Sequence, residues 1–382
     1  RRFRMRLLPT ISKRRTSENV GAAKMTQFEL TKYNVGRDLD ELMNLDPRGY
    51  GVCRILYPAS REYSHDTNVS MHFAEKLLET LSEGDLVYII TGFRLLPHGS
   101  PETDGIIGSM LLARTLAKLG IKPALIVPEQ CIEAARHMAS VCGLHFYTDI
   151  ESVVKYPIAV CAVPFTTDSA KAKECAEEIF GIAEPKALVA IEAPGANEIG
   201  VYHNATGLDI TSFEAKADAL FDMAKERKIP TFAIGDLGNE MGMGAIREHI
   251  EKYIPYAQKG ADHSTCRCGC NGGICARTAA DTVLTATVSD WGTYAVCAAI
   301  AFLKGDTDLM HTPEMEKEVV TTASRYGMID MYGWLVLAID GMDMSILMAI
   351  VSLMRSCVSN ALGLVDTCKT WFDKTIELGY FG

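Results

Sequence analysis

The chain has 382 residues, 48% of them hydrophobic, with a mean hydropathy of +0.07 and a formal net charge of −10. That length supplies ample core for one large α/β domain or two moderate ones, and the apolar content excludes a wholly disordered chain. The charge is divided: residues 1–24 carry +7, from six Arg and two Lys against Glu18, which leaves −17 on the remainder and argues against nucleic acid as the main partner.

Residues 1–24 read as a basic leader, disordered or cleaved. Arg-rich and nearly acid-free, they fit a mitochondrial presequence or simply upstream sequence, and Met25 opens Met-Thr-Gln-Phe-Glu-Leu30 as a start for the folded part. No secretory signal with a clean apolar core and cleavage site is visible. Cys53, Cys131, Cys142, Cys161, Cys175, Cys297, Cys357 and Cys368 are scattered through apolar segments as small core residues, which fits a reducing interior. The expected location is cytoplasmic, with the mitochondrial matrix as the alternative, and residues 25–382 are expected to form a single domain.

In chain order, Asp38–Leu45 predicts a short helix, Arg48–Tyr57 an irregular approach and Val69–Leu81 a helix. Leu86–Ile90 is then a continuous apolar run of strand length. Further strands are predicted at Ala124–Val127, Ile158–Val163, Ala187–Ile191, Thr231–Ile234 and Thr282–Val288. Helical periodicity lies between them at Ile107–Leu119, Cys131–Cys142, Ala170–Phe180, Ser212–Arg227 and Ala245–Gln258. Short unalternated strands separated by helices imply a three-layer α/β fold with a largely parallel sheet covered on both faces, followed by a helical C-terminal region. There, Met344–Met354 is an apolar run of eleven residues and Trp334–Ile339 is broken off by Asp340 and Gly341; both are too short to span a bilayer, and a helix on the sheet or at a subunit interface is expected.

Four polar loops follow predicted strands. The first runs from Thr91 and Gly92 to Gly105 and carries Glu102 and Asp104, with Asp104 placed to cap the next helix. The second, Glu192 to Asp209, is eighteen residues long and includes Asn197, Glu198, Tyr202, His203 and Asn204; loops of that length in a compact domain tend to be functional. The third threads Asp236, Asn239 and Glu240 between Gly235, Gly238, Gly242 and Gly244, where glycine allows positive φ and close approach to the main chain, and a helix start offers free N–H groups to an anion. The fourth is Ser289-Asp-Trp-Gly-Thr-Tyr294. Ligands bind at the carboxyl ends of strands in open parallel sheets, so the agreement of the four points to an enzyme whose acids move protons or hold a divalent cation.

Cys266-Arg-Cys-Gly-Cys270, with Cys275 and His263 nearby, offers soft ligands but lacks the paired Cys-x-x-Cys of common zinc sites, and reads first as a reduced Gly-rich loop. The glycines of 235–244 match neither the phosphate-binding Gly-Lys-Ser/Thr loop nor Gly-x-Gly-x-x-Gly after a first strand.

In combination, the segments Thr91-Gly-Phe93, Glu102-Thr-Asp-Gly105, Ile191-Glu-Ala-Pro-Gly195, Gly200-Val-Tyr-His-Asn204, Ile234 to Gly244, Gly273-Ile-Cys275 with Ala280-Asp281, and Val288-Ser-Asp-Trp-Gly292 resemble the D-glutamate cyclase family, over about Arg48 to Asp343. The chain departs from the pattern at Asp290, where the family usually has Asn, at Leu237, where it commonly has Gly, and in the Cys266–Cys270 elaboration. The resemblance implies a lyase that converts D-glutamate to 5-oxo-D-proline and water. Its implied catalytic set is Asp236, Glu240, Glu102, Asp104 and Glu192, its implied substrate contacts are Thr91, Gly92, His203, Asn204, Gly238, Asn239 and Asp290, and Asp236 and Glu240 are candidates for a divalent ion, Mn or Mg. The expected partner is the small-molecule substrate, with no nucleic acid or membrane, and a homo-oligomer is an open option. A metal-assisted hydrolase of a small amide or phosphorylated metabolite, and a non-catalytic D-amino-acid-binding protein, are the alternatives.

Overall fold

A computed structural model describes residues 25–260, 265–365 and 367–381; the basic leader and His263 lie outside these. Three helices come first, α1 (Gln27–Met43), α2 (Val52–Tyr63) and α3 (Val69–Thr80). The first is far longer than the predicted Asp38–Leu45. Thr26 and Glu29 form a reciprocal capping box at its start, and Gly36, which lowers helix propensity, is a packing position: a Cβ there would lie 2.9 Å from Asn68 Nδ2 and 3.1 Å from Met71 Cβ of α3. The predicted irregular stretch Arg48–Tyr57 is half loop and half helix, with Gly51 at φ 76° before the first turn of α2.

An alternation of strands and helices follows: β1 (Leu86–Thr91), α4 (Ile106–Lys118), β2 (Lys122–Val127), α5 (Ile132–Val141), β3 (His145–Tyr147), α6 (Ile150–Lys155), β4 (Ala159–Pro164), α7 (Ala172–Ile182), β5 (Ala187–Ile191), α8 (Asp218–Glu226), β6 (Thr231–Gly235), α9 (Arg247–Tyr253), β7 (Thr282–Thr285) and α10 (Ser289–Lys304). All seven strands pair in parallel, in the order β3-β4-β2-β1-β5-β6-β7. The three-layer α/β expectation therefore holds. The short edge strand β3 and helix α6 escape the sequence reading because three and six residues are too few for a period to show. The predicted strand Thr282–Val288 stops at Thr285 because the chain turns there into the start of α10.

Strand side chains alternate between two cores. Val87 and Ile89 face the layer that holds α1, α3, α4, α10 and the C-terminal helices, while Leu86, Tyr88 and Ile90 face the layer of α2 and α6 to α9. Helix α10 is the centre of the first layer: every residue from Ser289 to Phe302 is buried, so no polar face remains on it.

The C-terminal helices are α11 (Pro313–Arg325), α12 (Met344–Val365) and α13 (Lys369–Glu377). The apolar run read as eleven residues is thus a helix of 22, long and apolar enough to cross a membrane. Arg355 ended the run in sequence, but its guanidinium is satisfied within the fold by the carbonyls of Thr307, Met310 and His311, so the helix continues through it. Leu347, Ile350, Val351, Met354 and Val358 form one buried stripe against α1, α10 and α11.

Gly292, inside α10, tests this packing. A Cβ there would meet Leu284 Cδ2 at 2.6 Å and Ile234 Cγ2 at 3.0 Å, both on the sheet. Gly292→Ala is expected to cost about 1–3 kcal/mol, read as a lower urea midpoint with an unchanged slope.

Candidate active site

The four polar loops leave β1, β5, β6 and β7, which are four consecutive neighbours in the sheet. Strand order reverses beside β1: the chain runs outward through β2, then returns across β1 to place β5 on its other side. Such a switch point opens a crevice at the carboxyl ends of the two strands. Into it fall Thr91 and Gly92 from β1 and Glu192 from β5, the last at φ 43°, an uncommon backbone conformation for a side-chain-bearing residue. Gly105 makes the approach possible, since a Cβ there would lie 2.5 Å from Glu192 Cβ and 2.8 Å from Thr91 Oγ1.

Glu102, Asp104, Glu192, Asp236, Glu240 and Asp290 are all buried. Asp236 is the common member of two groups whose oxygens lie within 4.8 Å of one another, Asp104–Asp236–Asp340 and Glu192–Asp236–Glu240. Burial, reinforced by the neighbouring carboxylates, pushes the pKa values of Glu102, Glu192, Asp236 and Asp290 well above the usual range, and that of Asp104 up to about 7. Arg48 is the cation set against them. It donates to the Asp340 carboxylate, to the Asp340 carbonyl at 3.1 Å and to the Thr287 carbonyl at 2.5 Å; burial works against its charge, but Asp340, Asp236 and Asp104 outweigh it.

Asp104 and Asp290 exchange helix caps. Asp104 accepts the N–H groups of Ser289 at 3.1 Å and Asp290 at 2.8 Å, at the start of α10, whereas Asp290 Oδ1 accepts those of Gly105 at 2.9 Å and Gly108 at 2.7 Å, at the start of α4. Asp104 therefore caps the distant helix α10, which sequence adjacency to α4 could not suggest. Glu240 does comparable work in the glycine loop, accepting the N–H groups of Asp236 at 3.0 Å, Leu237 at 2.6 Å and Gly238 at 2.7 Å. The loop N–H groups expected to face a ligand are thus turned toward the protein's own carboxylate.

What the site leaves open is a set of oxygens. Thr91 Oγ1, Asp236 Oδ1, Asn239 Oδ1 and Asp290 Oδ2 are buried without a hydrogen-bond partner. Unpaired buried acceptors are costly and suit a ligand that brings positive charge or protons. Hard carboxylate oxygens fit a Mg²⁺- or Mn²⁺-like ion, and Asp236, with its free oxygen and its place in both groups, fits best.

Two predicted substrate contacts point elsewhere. The His203 imidazole turns into the cysteine loop, with Nε2 at 3.1 Å from Cys268 Sγ, and only its carbonyl, accepting from Asn239 Nδ2 at 2.9 Å, reaches the glycine loop. Asn204 Oδ1 is used inside its own turn by Thr206 and Leu208. Arg48 and Asp340 are the site residues that the sequence reading passed over. The signal for Asp340 was present as the Asp340-Gly341 break in an apolar run, where Asp340 takes φ 51°.

A family profile described as "D-glutamate cyclase-like, C-terminal" matches residues 39–355. The chain belongs to that family. Human D-glutamate cyclase, mitochondrial, is 27% identical over 281 residues, which is 70% of this chain and 39% of the relative, so the chain spans about two-fifths of that protein's length. Among solved structures, the Escherichia coli tRNA N6-threonylcarbamoyladenosine dehydratase TcdA in complex with AMP shares 14% identity over 65% of this chain and 93% of that one, with a TM-score of 0.23, a likeness too slight to bear on fold or function.

The departure at Asp290 can be tested directly. A carboxyl whose pKa is raised by folding contributes stability that is complete below its unfolded pKa and is lost as pH rises through the folded one. Asp290→Asn keeps an oxygen for Gly105 and Gly108 but has no proton to lose. It is expected to match the parent in thermal unfolding near pH 4 and to gain on it steadily as pH rises above the unfolded pKa, read as a widening difference in melting temperature.

Proposed function

We propose that this chain is a lyase that closes D-glutamate to 5-oxo-D-proline and water. The reading is supported most by the shared position of Asp236, a buried carboxyl with an unpaired oxygen that joins two acid groups at a sheet switch point, in a member of the D-glutamate cyclase-like family. The reaction forms a bond from the α-nitrogen to the γ-carbon and breaks one γ-carbon–oxygen bond. Two protons leave the ammonium and two reach the departing oxygen, so nothing is oxidised or reduced, and the site must supply a base, an acid and an electrophile.

Asp236 carries the unpaired Oδ1 and is read as the acceptor for the ammonium. Burial and Glu192 hold it toward its neutral form, and a cation, whether the substrate's ammonium or a divalent ion, is what draws it into the carboxylate form that the base role needs. Glu192, held toward its neutral form by burial and by Glu240 and Asp104, supplies a proton to the departing oxygen, and Ser289, which donates its hydroxyl to Glu192, fixes that carboxyl's orientation. A divalent ion held by Asp236 with Asp104 and Asp340, or with Glu192 and Glu240, would polarise the γ-carboxylate. The human relative is named mitochondrial, which supports a mitochondrial location for this chain.

Purified protein incubated with D- or L-glutamate, with Mn²⁺ or Mg²⁺ and after chelation, is expected to yield 5-oxoproline from the D isomer alone, measured by chiral chromatography. No lactam from either isomer overturns the proposal. Asp236→Asn is expected to slow turnover by about 10²–10⁴-fold without lowering the melting temperature, because it removes a repelled acid. Glu240→Gln is expected to lower both, since it exchanges a carboxylate that accepts three N–H groups for an amide with a donor among them.

An ion in the acid site has a signature apart from activity. Raised carboxyl pKa values mean that stability of the metal-free chain falls as pH climbs from about 4 toward 8, through the value near 7 for Asp104. Mn²⁺ at about a hundred times its Kd is expected to restore about 2.7 kcal/mol. By differential scanning, the gain is expected to be larger at pH 8 than at pH 5.5, where protons compete, and absent in Asp236→Asn.

A further inference from the structure

Residues 265–281, ahead of β7, wind without helix or strand, yet they bring three sulfurs together with an imidazole of the second polar loop. Cys266 Sγ lies 3.1 Å from Cys270 Sγ and 3.5 Å from Cys268 Sγ, and His203 Nε2 lies 3.1 Å from Cys268 Sγ and 3.4 Å from Cys270 Sγ. All four donor atoms fall within 4.8 Å of one another. Donors at about 2.0–2.3 Å from a tetrahedral ion would stand roughly 3.5–3.8 Å apart, so the cluster needs only a small expansion to enclose one.

We propose that His203, Cys266, Cys268 and Cys270 bind a structural Zn²⁺ ion. Three thiolates and an imidazole are a soft to borderline set that selects zinc over the hard cations suited to the acid cluster. The set is complete, with four protein donors and no position left for water, which is the mark of a structural rather than a catalytic centre. Donors already reach the sulfurs: the N–H groups of Cys270 and Gly272 donate to Cys268 and Cys270 sulfurs at 3.4 Å each, and Asn197 Nδ2 lies 3.6 Å from Cys270 Sγ. His203 is 1% exposed, so its imidazole meets the sulfurs away from bulk water. Positive φ at Gly269 turns the chain inside the five-residue Cys266–Cys270 segment, and positive φ at Asn271 and Gly273 turns it again just after, so that all three sulfurs converge.

The ion would tie loop 266–273 to the loop after β5. A backbone clasp is already there, Gly207 O accepting the N–H groups of Arg267 at 2.7 Å and Cys268 at 3.1 Å. From His203 the tie extends through its carbonyl to Asn239 in the glycine loop. The centre is therefore a staple behind the acid cluster, and its existence does not depend on which reaction that cluster performs.

The test is metal content of the full chain, purified without chelator from zinc-supplemented cells, by inductively coupled plasma mass spectrometry. One zinc per chain is expected for the parent and for Asp236→Asn, which separates this centre from the acid site. Cys268→Ala, at an exposed position that folding should tolerate, is expected to fall below a tenth of that value, and Cys268→His to retain it. Cobalt loading of the unmutated chain adds a measurement independent of any variant, since a tetrahedral thiolate site gives intense visible absorption. Zinc-free parent protein, full zinc in Cys268→Ala, a Cys266–Cys270 disulfide in the isolated chain, or cobalt spectra of an oxygen-ligated ion would each overturn the proposal.

Discussion

The exchange of caps between Asp104 and Asp290 is the constraint from which the rest of the site follows. Asp104 lies on the loop before α4 and Asp290 in the first turn of α10, and each accepts N–H groups at the start of the other's helix, so α4 and α10 are locked start to start over the carboxyl ends of β1 and β7. Two helix N-termini with their positive ends brought together would repel; two acids between them reverse the sign. The cost is carried by the acids, whose neighbours are also acids and whose pKa values rise.

Crowding of carboxyls is tolerable in a folded protein only when protons, cations or hydrogen-bond donors share the site. Here all three are used unevenly. Glu240 is supplied with backbone donors, Asp340 with Arg48, and Asp104 with helix N–H groups, whereas Asp236 keeps an oxygen that nothing in the protein meets. That unevenness separates Glu240 and Asp340, which are supplied with donors, from Asp236 and Asp290, which each keep an unpaired oxygen, though all read alike in sequence. The conformational strain is local too: Glu192 and Asp340, both with positive φ, each belong to one of the two acid groups that share Asp236.

The second layer of support is the loop behind the acids. His203, Asn239 and the cysteine segment form a chain of contacts that reaches the glycine loop. A glycine loop gains freedom to approach a ligand and loses rigidity by the same property, so an external staple is a physically reasonable companion to it.

The strand runs Leu86–Ile90, Ala187–Ile191 and Thr231–Ile234 were legible because a strand buried on both faces must be continuously apolar, and the polar loops after them were legible because nothing else interrupts such runs with so many acids. The chain alone therefore determined the α/β class, the parallel sheet, the family and the set of loops that bear the acids. It could not determine strand order, because pairing is a long-range choice that adjacent residues do not encode. Nor could it show that Arg48, Asp104, Asp236 and Asp340, spread over nearly three hundred positions, would meet in one buried place. Only the tertiary structure decided which carboxyls became caps and which stayed free, and that His203 would serve the cysteines rather than the acids, since those outcomes depend on which donors lie within about 3 Å.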